Sequence, residues 1–197
     1  MVRKSNPESG GSRGPIYQIK ITLMEVTPPI WRRFAVHGAI SLSRLHDVLQ
    51  IVMGWTDSHL HEFNIDEHSY VADYDLAERD WDETALDEGD FRLDHLIKRK
   101  GESFEYKYDF GDGWRHELVV EKIIPPEEGV KYPVCLAGER ACPPEDCGGP
   151  WGYDELLESL ADPDHEEHER SLEWLGGRYD PEEFNLEKIN RLLRRKG

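Results

Sequence analysis

The sequence has few cysteines and no long apolar run, and both absences narrow what the protein can be. Its 197 residues contain three cysteines, an odd number that argues against a disulfide framework. No apolar stretch is long enough to cross a membrane. Residues 1–15 carry positive charges with no apolar run behind them, so we expect a disordered tail and neither a signal peptide nor an anchor. Together these features predict a cytoplasmic protein.

Positive charge is also scarce. Lys and Arg number 24 against 41 Asp and Glu, which gives a formal net charge of -17. Because Lys and Arg contacts with phosphate supply most of the affinity for nucleic acids and anionic membranes, direct binding to either is disfavoured. Residues 66–90 are the most acidic stretch and predict a solvated, partly mobile loop. The basic run at 191–196 is typical of a helix C-terminus.

Several catalytic motifs are missing. The chain has no G-x-S-x-G elbow, no phosphate-binding P-loop, no dinucleotide-binding G-x-G-x-x-G and no H-E-x-x-H helix. A thiol nucleophile is disfavoured, because Glu145 and Asp146 lie beside Cys142 and Cys147 and would raise the thiol pKa. No residue can therefore be assigned as catalytic.

The apolar pattern that is present predicts strands first and helices later. Ile19, Ile21 and Leu23 alternate as in a half-buried strand, whereas Ser41 or Ser43 caps a helix that Gly54 ends. The predicted strands span 17–26, 30–36, 59–65, 104–110 and 114–124, and the predicted helices span 42–53, 91–98, 153–161, 163–175 and 186–195. Residues between 125 and 152 are expected to form a loop.

These elements predict an α+β fold. We expect a small mixed or antiparallel sheet that contains the hairpin 104–110 and 114–124. The helix 42–53 accompanies this sheet, and a helical C-terminal region packs with them. Residues 16–197 are expected to form a single domain, with a sheet-rich part at 16–124 and loop and helices at 125–197.

The hairpin indicates its own register, because strand side chains alternate between two faces. A loop of three residues, with Gly113 in the left-handed conformation, places the aromatic side chains and His116 on one face. The expected cross-strand pairs are Phe110 with Trp114, Tyr108 with His116, Tyr106 with Leu118, Phe104 with Val120, Asp109 with Arg115, and Lys107 with Glu117.

Four segments resemble the sequence blocks of a known family. They are IYQIKITLMEVTPPIWRR at 16–33, GWTDSHLHEF at 54–63, YKYDFGDGWRHEL at 106–118 and YPVCLAGERACPPEDCGGPWGY at 132–153. This order and composition resemble the plasmid pRiA4b ORF-3-like family. The signature residues are Trp55, Phe63, Asp109, Gly111, Asp112, Trp114, Pro143, Glu145, Asp146, Gly148, Gly149 and Tyr153. The resemblance implies an uncharacterised protein whose relatives occur on plasmids and in mobile elements.

Histidine and cysteine side chains suggest a metal site, with zinc as the candidate ion. His59 and His61 are two residues apart, so on a strand both rings would leave the same face. His116 on the apolar face of the hairpin could join them. The cysteines that could add thiolates are Cys135, Cys142 and Cys147. The alternative is that these histidines are hydrogen-bonded core residues and the cysteines buried thiols.

Two functions remain open from the sequence. The favoured one is a binding or interaction module that uses exposed aromatic residues and the acidic loop to engage a basic protein partner or a small ligand. The alternative is a metal-dependent enzyme, a hydrolase, with an ion among His59, His61 and His116 and an open position for water. Trp151 and Tyr153 are expected to anchor the helix that follows them. No particular partner, ligand or oligomeric state can be derived from the sequence.

Overall fold

The structure is a computed structural model that describes residues 14–73 and 84–196. The predicted tail at 1–15 therefore lies almost entirely outside the described residues, as does the middle of the acidic segment. The described parts of that segment are not all loop, because they contain two short strands, His68–Val71 and Leu86–Asp87, and a 3-10 turn at Glu88–Asp90.

Within residues 14–73 and 84–196, eight strands form one mixed sheet. They are β1 (Ile16–Leu23), β2 (Trp31–His37), β3 (His61–Ile65), β4 (His68–Val71), β5 (Leu86–Asp87), β6 (Ser103–Tyr108), β7 (Trp114–Ile124) and β8 (Val134–Glu139). Their order across the sheet is β5-β4-β3-β6-β7-β1-β2-β8. Neighbours are antiparallel except for the β4 and β5 pair.

Five helices accompany the sheet in the described parts of the chain. They are α1 (Leu42–Met53), α2 (Leu93–Leu96), α3 (Gly149–Ala161), α4 (His168–Leu175) and α5 (Leu186–Lys196). The predicted α+β class and the helical C-terminal region are confirmed. Among the helices that the structure describes, none has the length and apolarity needed to cross a membrane. Helix α4 is shorter than predicted, since the chain from Pro163 to Glu167 forms turns.

The predicted cap residues and apolar spacing explain why β1 and α1 form and how they pack. Ile19, Ile21 and Leu23 are fully buried, as their alternation predicts. The Ser41 hydroxyl accepts a hydrogen bond from an N–H in the first turn of α1, and Gly54 ends the helix in the left-handed conformation. The buried face of α1 belongs to the same apolar cluster as the inner face of the sheet.

The predicted hairpin register is wrong by two residues. Tyr106 lies opposite His116 and Tyr108 opposite Trp114, so the connecting loop has five residues, from Asp109 to Gly113. Asp109 causes the difference, because its backbone turns into the left-handed region and its Oδ1 accepts hydrogen bonds from two N–H groups of the loop. The predicted charge pairs are absent from the register, and Arg115 instead pairs with Glu105 at 2.7 Å. A shift of two preserves the faces, so the aromatic side chains of the two strands still point inward, whereas Phe110 lies in the loop and is half-buried.

Strand β8 was predicted as loop and instead forms one edge of the sheet beside β2. Its free side is partly covered by Asn190 of α5. The side-chain amide of Asn190 accepts a hydrogen bond from the N–H of Cys135 at 2.8 Å and donates one to the carbonyl of the same residue at 2.9 Å. The helix thus supplies hydrogen bonds that a further strand would otherwise make.

Candidate functional site

The candidate site lies where the loop before α3 packs on the tip of the hairpin. Two glycines make this contact possible, because a Cβ on Gly149 would overlap the carbonyl oxygen of Asp112 and one on Gly152 would overlap that of Cys147. The N–H of Gly148 also donates to the Asp112 carboxylate at 3.1 Å. The glycines of the CGGPWG segment therefore leave the space that residues 143–148 need to pack against the hairpin.

This packing gathers carboxylates around His59. The Nε2 atom of His59 lies 3.2 Å from Asp146 Oδ1, 3.7 Å from Asp109 Oδ2 and 3.8 Å from Glu145 Oε2. We call these four residues the His59 cluster. They come from the segment before β3, the hairpin loop and the loop before α3. The ligand atoms of His59, Asp109 and Asp146 all lie within 4.8 Å of one another and could hold a metal ion, with Glu145 beside them.

The other predicted histidine ligands lie elsewhere. His61 begins β3, and its ring stacks on the ring of His46 with centroids 3.5 Å apart while its Nε2 contacts the Glu88 carboxylate at 2.9 Å. Burial and the neighbouring His61 lower the pKa of His46. His116 is fully buried and donates from Nδ1 to the carbonyl of Tyr106. Because β3 starts only at His61, His59 is outside the strand and the two rings do not converge.

The three cysteines are free thiols. Cys135 lies on β8, and Cys142 lies near Gly54. Burial raises the pKa of Cys135 to about 11, and burial together with Asp112 raises that of Cys147 to about 12. Within the described ranges, neither these thiols nor His61 or His116 belong to a group of three potential metal ligands.

A groove of about 570 Å³ adjoins the His59 cluster between α3 and α4. Asp146 and Cys147 line one part of it, and Trp174 of α4 lines another. Trp174 is 51% exposed, and Trp151 in the first turn of α3 is 84% exposed. The expectation that Trp151 anchors α3 is therefore wrong, whereas Tyr153 is fully buried and does anchor the helix.

Sequence reasoning selected His59 but missed its partners. Asp109, Glu145 and Asp146 are signature residues of the resembling blocks, yet their spacing along the chain does not indicate that they meet. The contact between Glu88 and His61 was also missed, since Glu88 lies in the acidic segment that predicted only a solvated loop.

Comparison with known proteins gives one family. Residues 15–188 match the model of the family described as plasmid pRiA4b ORF-3-like protein. The uncharacterised protein y4hQ of Sinorhizobium fredii is 42% identical over 180 residues, which are 90% of each protein. The crystal structure of MM3350, a protein of unknown function from Methanosarcina mazei Go1, shares 38% identity and a TM-score of 0.82, and the match covers 89% of this chain and 98% of that one. The chain therefore belongs to the plasmid pRiA4b ORF-3-like protein family.

Proposed function

We propose that the protein is a binding module that holds a basic segment of a partner protein in the groove between α3 and α4. The observation that carries this proposal is the pairing of an acidic groove with two exposed tryptophans. The groove is large enough for several side chains, and an extended peptide could lie along it.

Charge favours a basic occupant. The groove is lined by five carboxylates, one arginine and one histidine, namely Asp146, Glu155, Glu158, Glu166, Glu167, Arg170 and His165. Complementary charge accelerates association and excludes acidic partners. The net charge of -17 of the whole chain acts in the same direction over longer distances.

The tryptophans supply contact area that the carboxylates cannot. Trp174 lines the groove, and Trp151 lies one helical turn before Glu155, at the position where the two side chains share a face. Exposed tryptophan is enriched among the residues that dominate binding energy, and its ring attracts the cationic groups of Lys and Arg. A basic peptide can therefore gain both ion pairs and ring contacts here.

Fluorescence anisotropy with a labelled peptide of about eight Lys and Arg residues tests this proposal. We expect Trp174→Ala to weaken binding about tenfold, and the double variant Glu155→Gln, Glu158→Gln to weaken it by a similar factor. The control is the double variant Glu127→Gln, Glu128→Gln. It removes the same charge from two exposed residues that do not line the groove. Equal losses in both double variants would show that the peptide senses only net charge, and the docking proposal would fail.

A further inference from the structure

We propose that the His59 cluster, formed by His59, Asp109, Glu145 and Asp146, binds a divalent first-row transition metal ion. This goes beyond peptide docking, since it concerns a different set of atoms and a different ligand. It also differs from the site predicted from the sequence, because His59 is the only one of the six predicted ligands that it retains.

The spacing of the donor atoms suits a coordinated ion better than a hydrogen-bond network. His59 Nε2 lies between 3.2 and 3.8 Å from one oxygen of each of the three carboxylates. Ligands about 2.0–2.2 Å from a tetrahedral zinc ion lie about 3.3–3.6 Å from one another. The three distances from His59 are close to such an edge, and the ligand atoms of His59, Asp109 and Asp146 all lie within 4.8 Å of one another, so one ion could contact all three.

Two of the donor atoms lack any other partner. Within the part of the chain that the structure describes, His59 Nε2 and Glu145 Oε2 are shielded from solvent and make no hydrogen bond. A buried polar atom without a partner costs about 1–3 kcal/mol, and such atoms require an explanation. The Asp109 side chain is only 8% exposed, and its Oδ2 faces the same space at 3.7 Å from His59. A metal ion held by His59 and Asp109 would give His59 Nε2 a partner and would place a positive charge near Glu145 Oε2.

The second oxygen of each buried carboxylate is already held in place. Glu145 Oε1 accepts hydrogen bonds from the N–H of Thr56 at 2.7 Å, the Thr56 hydroxyl at 2.9 Å and the Tyr108 hydroxyl at 3.1 Å. Asp109 Oδ1 accepts one from the N–H of Gly111 at 2.9 Å. Outer hydrogen bonds of this kind orient metal ligands. Each carboxylate thus presents one restrained oxygen to the central space.

Charge and donor type indicate which ion fits. The ion pairs that the described residues make with Asp109, Glu145 and Asp146 all go to His59, so three carboxylates surround a single imidazole. A divalent ion would offset this surplus of negative charge. One nitrogen together with two carboxylate oxygens suits Zn²⁺ or Mn²⁺, whereas Ca²⁺ and Mg²⁺ prefer sites made of oxygen alone.

The site is open on one side. The Asp146 side chain is 71% exposed, and the same residue lines the groove between α3 and α4. An ion could therefore enter from solvent. Once bound, it would fix the loop that carries Glu145 and Asp146 and so the adjoining end of the groove.

Isothermal titration calorimetry tests the proposal, using protein made without a polyhistidine tag, stripped with EDTA and titrated with ZnCl₂ or MnCl₂. We expect one ion per chain, and we expect Asp109→Asn or Glu145→Gln to weaken binding at least about tenfold. His95→Gln removes an exposed histidine outside the cluster and should leave the affinity unchanged.

Folding and binding can be separated. Asp146→Asn changes an exposed side chain, so this variant should fold normally and still lose affinity. Thermal unfolding with and without metal provides a second measurement, because an ion that binds only the folded state raises the melting temperature, and the cluster variants should lose that rise. The proposal is overturned if folded wild-type protein takes up neither ion, or if Asp146→Asn and Asp109→Asn bind as tightly as wild type.

Discussion

His116 should make the fold sensitive to acid, and His116→Asn should remove part of that sensitivity. The imidazole is fully buried among Trp55, Tyr106 and Trp114. Burial lowers its pKa to about 4, while hydrogen bonds with the backbone act weakly in the opposite direction. Asparagine keeps a side-chain N–H for the Tyr106 carbonyl that His116 Nδ1 contacts at 3.2 Å, but it does not titrate in this range.

Proton linkage gives the direction and the size of the change in the free energy of unfolding with pH. An unfolded histidine has a pKa near 6.5, so the unfolded chain binds a proton before the folded chain does. The contribution of neutral His116 to stability is complete above about pH 6.5 and decreases as the pH falls toward about 4. Between about pH 7 and about pH 5, the free energy of unfolding should therefore fall by about 2 kcal/mol through this residue alone.

Urea denaturation of both proteins at the two pH values measures this effect. Every carboxylate is shared by the two proteins, so their difference in pH dependence isolates His116. His116→Asn should be less stable than wild type at neutral pH, because it leaves a small cavity, but it should lose about 2 kcal/mol less on acidification. Equal losses in the two proteins would refute the argument that the buried ring stays neutral.

Two further predictions concern Arg32 and the thiols of Cys135 and Cys147. Arg32 is 2% exposed and donates to backbone carbonyls on neighbouring segments, so Arg32→Met should lower the free energy of unfolding by at least about 3 kcal/mol in urea denaturation. Arg33→Met, which removes a partly exposed ion pair on the opposite face, should lower it by no more than about 1 kcal/mol, and similar losses would contradict the role given to the Arg32 hydrogen bonds. Because the pKa values of Cys135 and Cys147 are raised to about 11 and about 12, both thiols should react slowly with a disulfide reagent at neutral pH until the protein unfolds. Labelling is followed by absorbance and mass spectrometry. Rapid labelling of the folded protein would show that these thiols are accessible and reactive at neutral pH.

The sequence predicted those strands and helices that depend on residues close to one another in the chain. The alternation of Ile19 and Ile21 and the cap signals at Ser41 and Gly54 were sufficient for β1 and α1, since each depends on neighbouring residues. The hairpin faces were also predictable, but its register was not. That register depends on the Asp109 side chain, which closes a five-residue loop with its own hydrogen bonds.

The candidate site depended on contacts between distant segments. His59 meets Asp146, which is far away in the sequence, only because the glycines in the first turn of α3 allow the preceding loop to approach the hairpin. Strand β8 was missed for a similar reason. Its partners are β2 and Asn190, and its own residues show little alternation. The sequence analysis selected His59 as a candidate ligand, but its contacts with these carboxylates depend on the fold.

The side-chain amide of Asn190 affects whether the edge strand β8 can pair with a second copy of the protein. An uncovered edge strand can recruit the same strand of a second molecule and begin an ordered aggregate. Asn190 occupies the N–H and the carbonyl of Cys135, so a neighbouring chain cannot form regular ladder bonds at the start of β8. The C-terminal helix thereby closes this part of the sheet edge to pairing with a second molecule. Its attachment to the sheet therefore opposes aggregation as well as stabilising the single molecule.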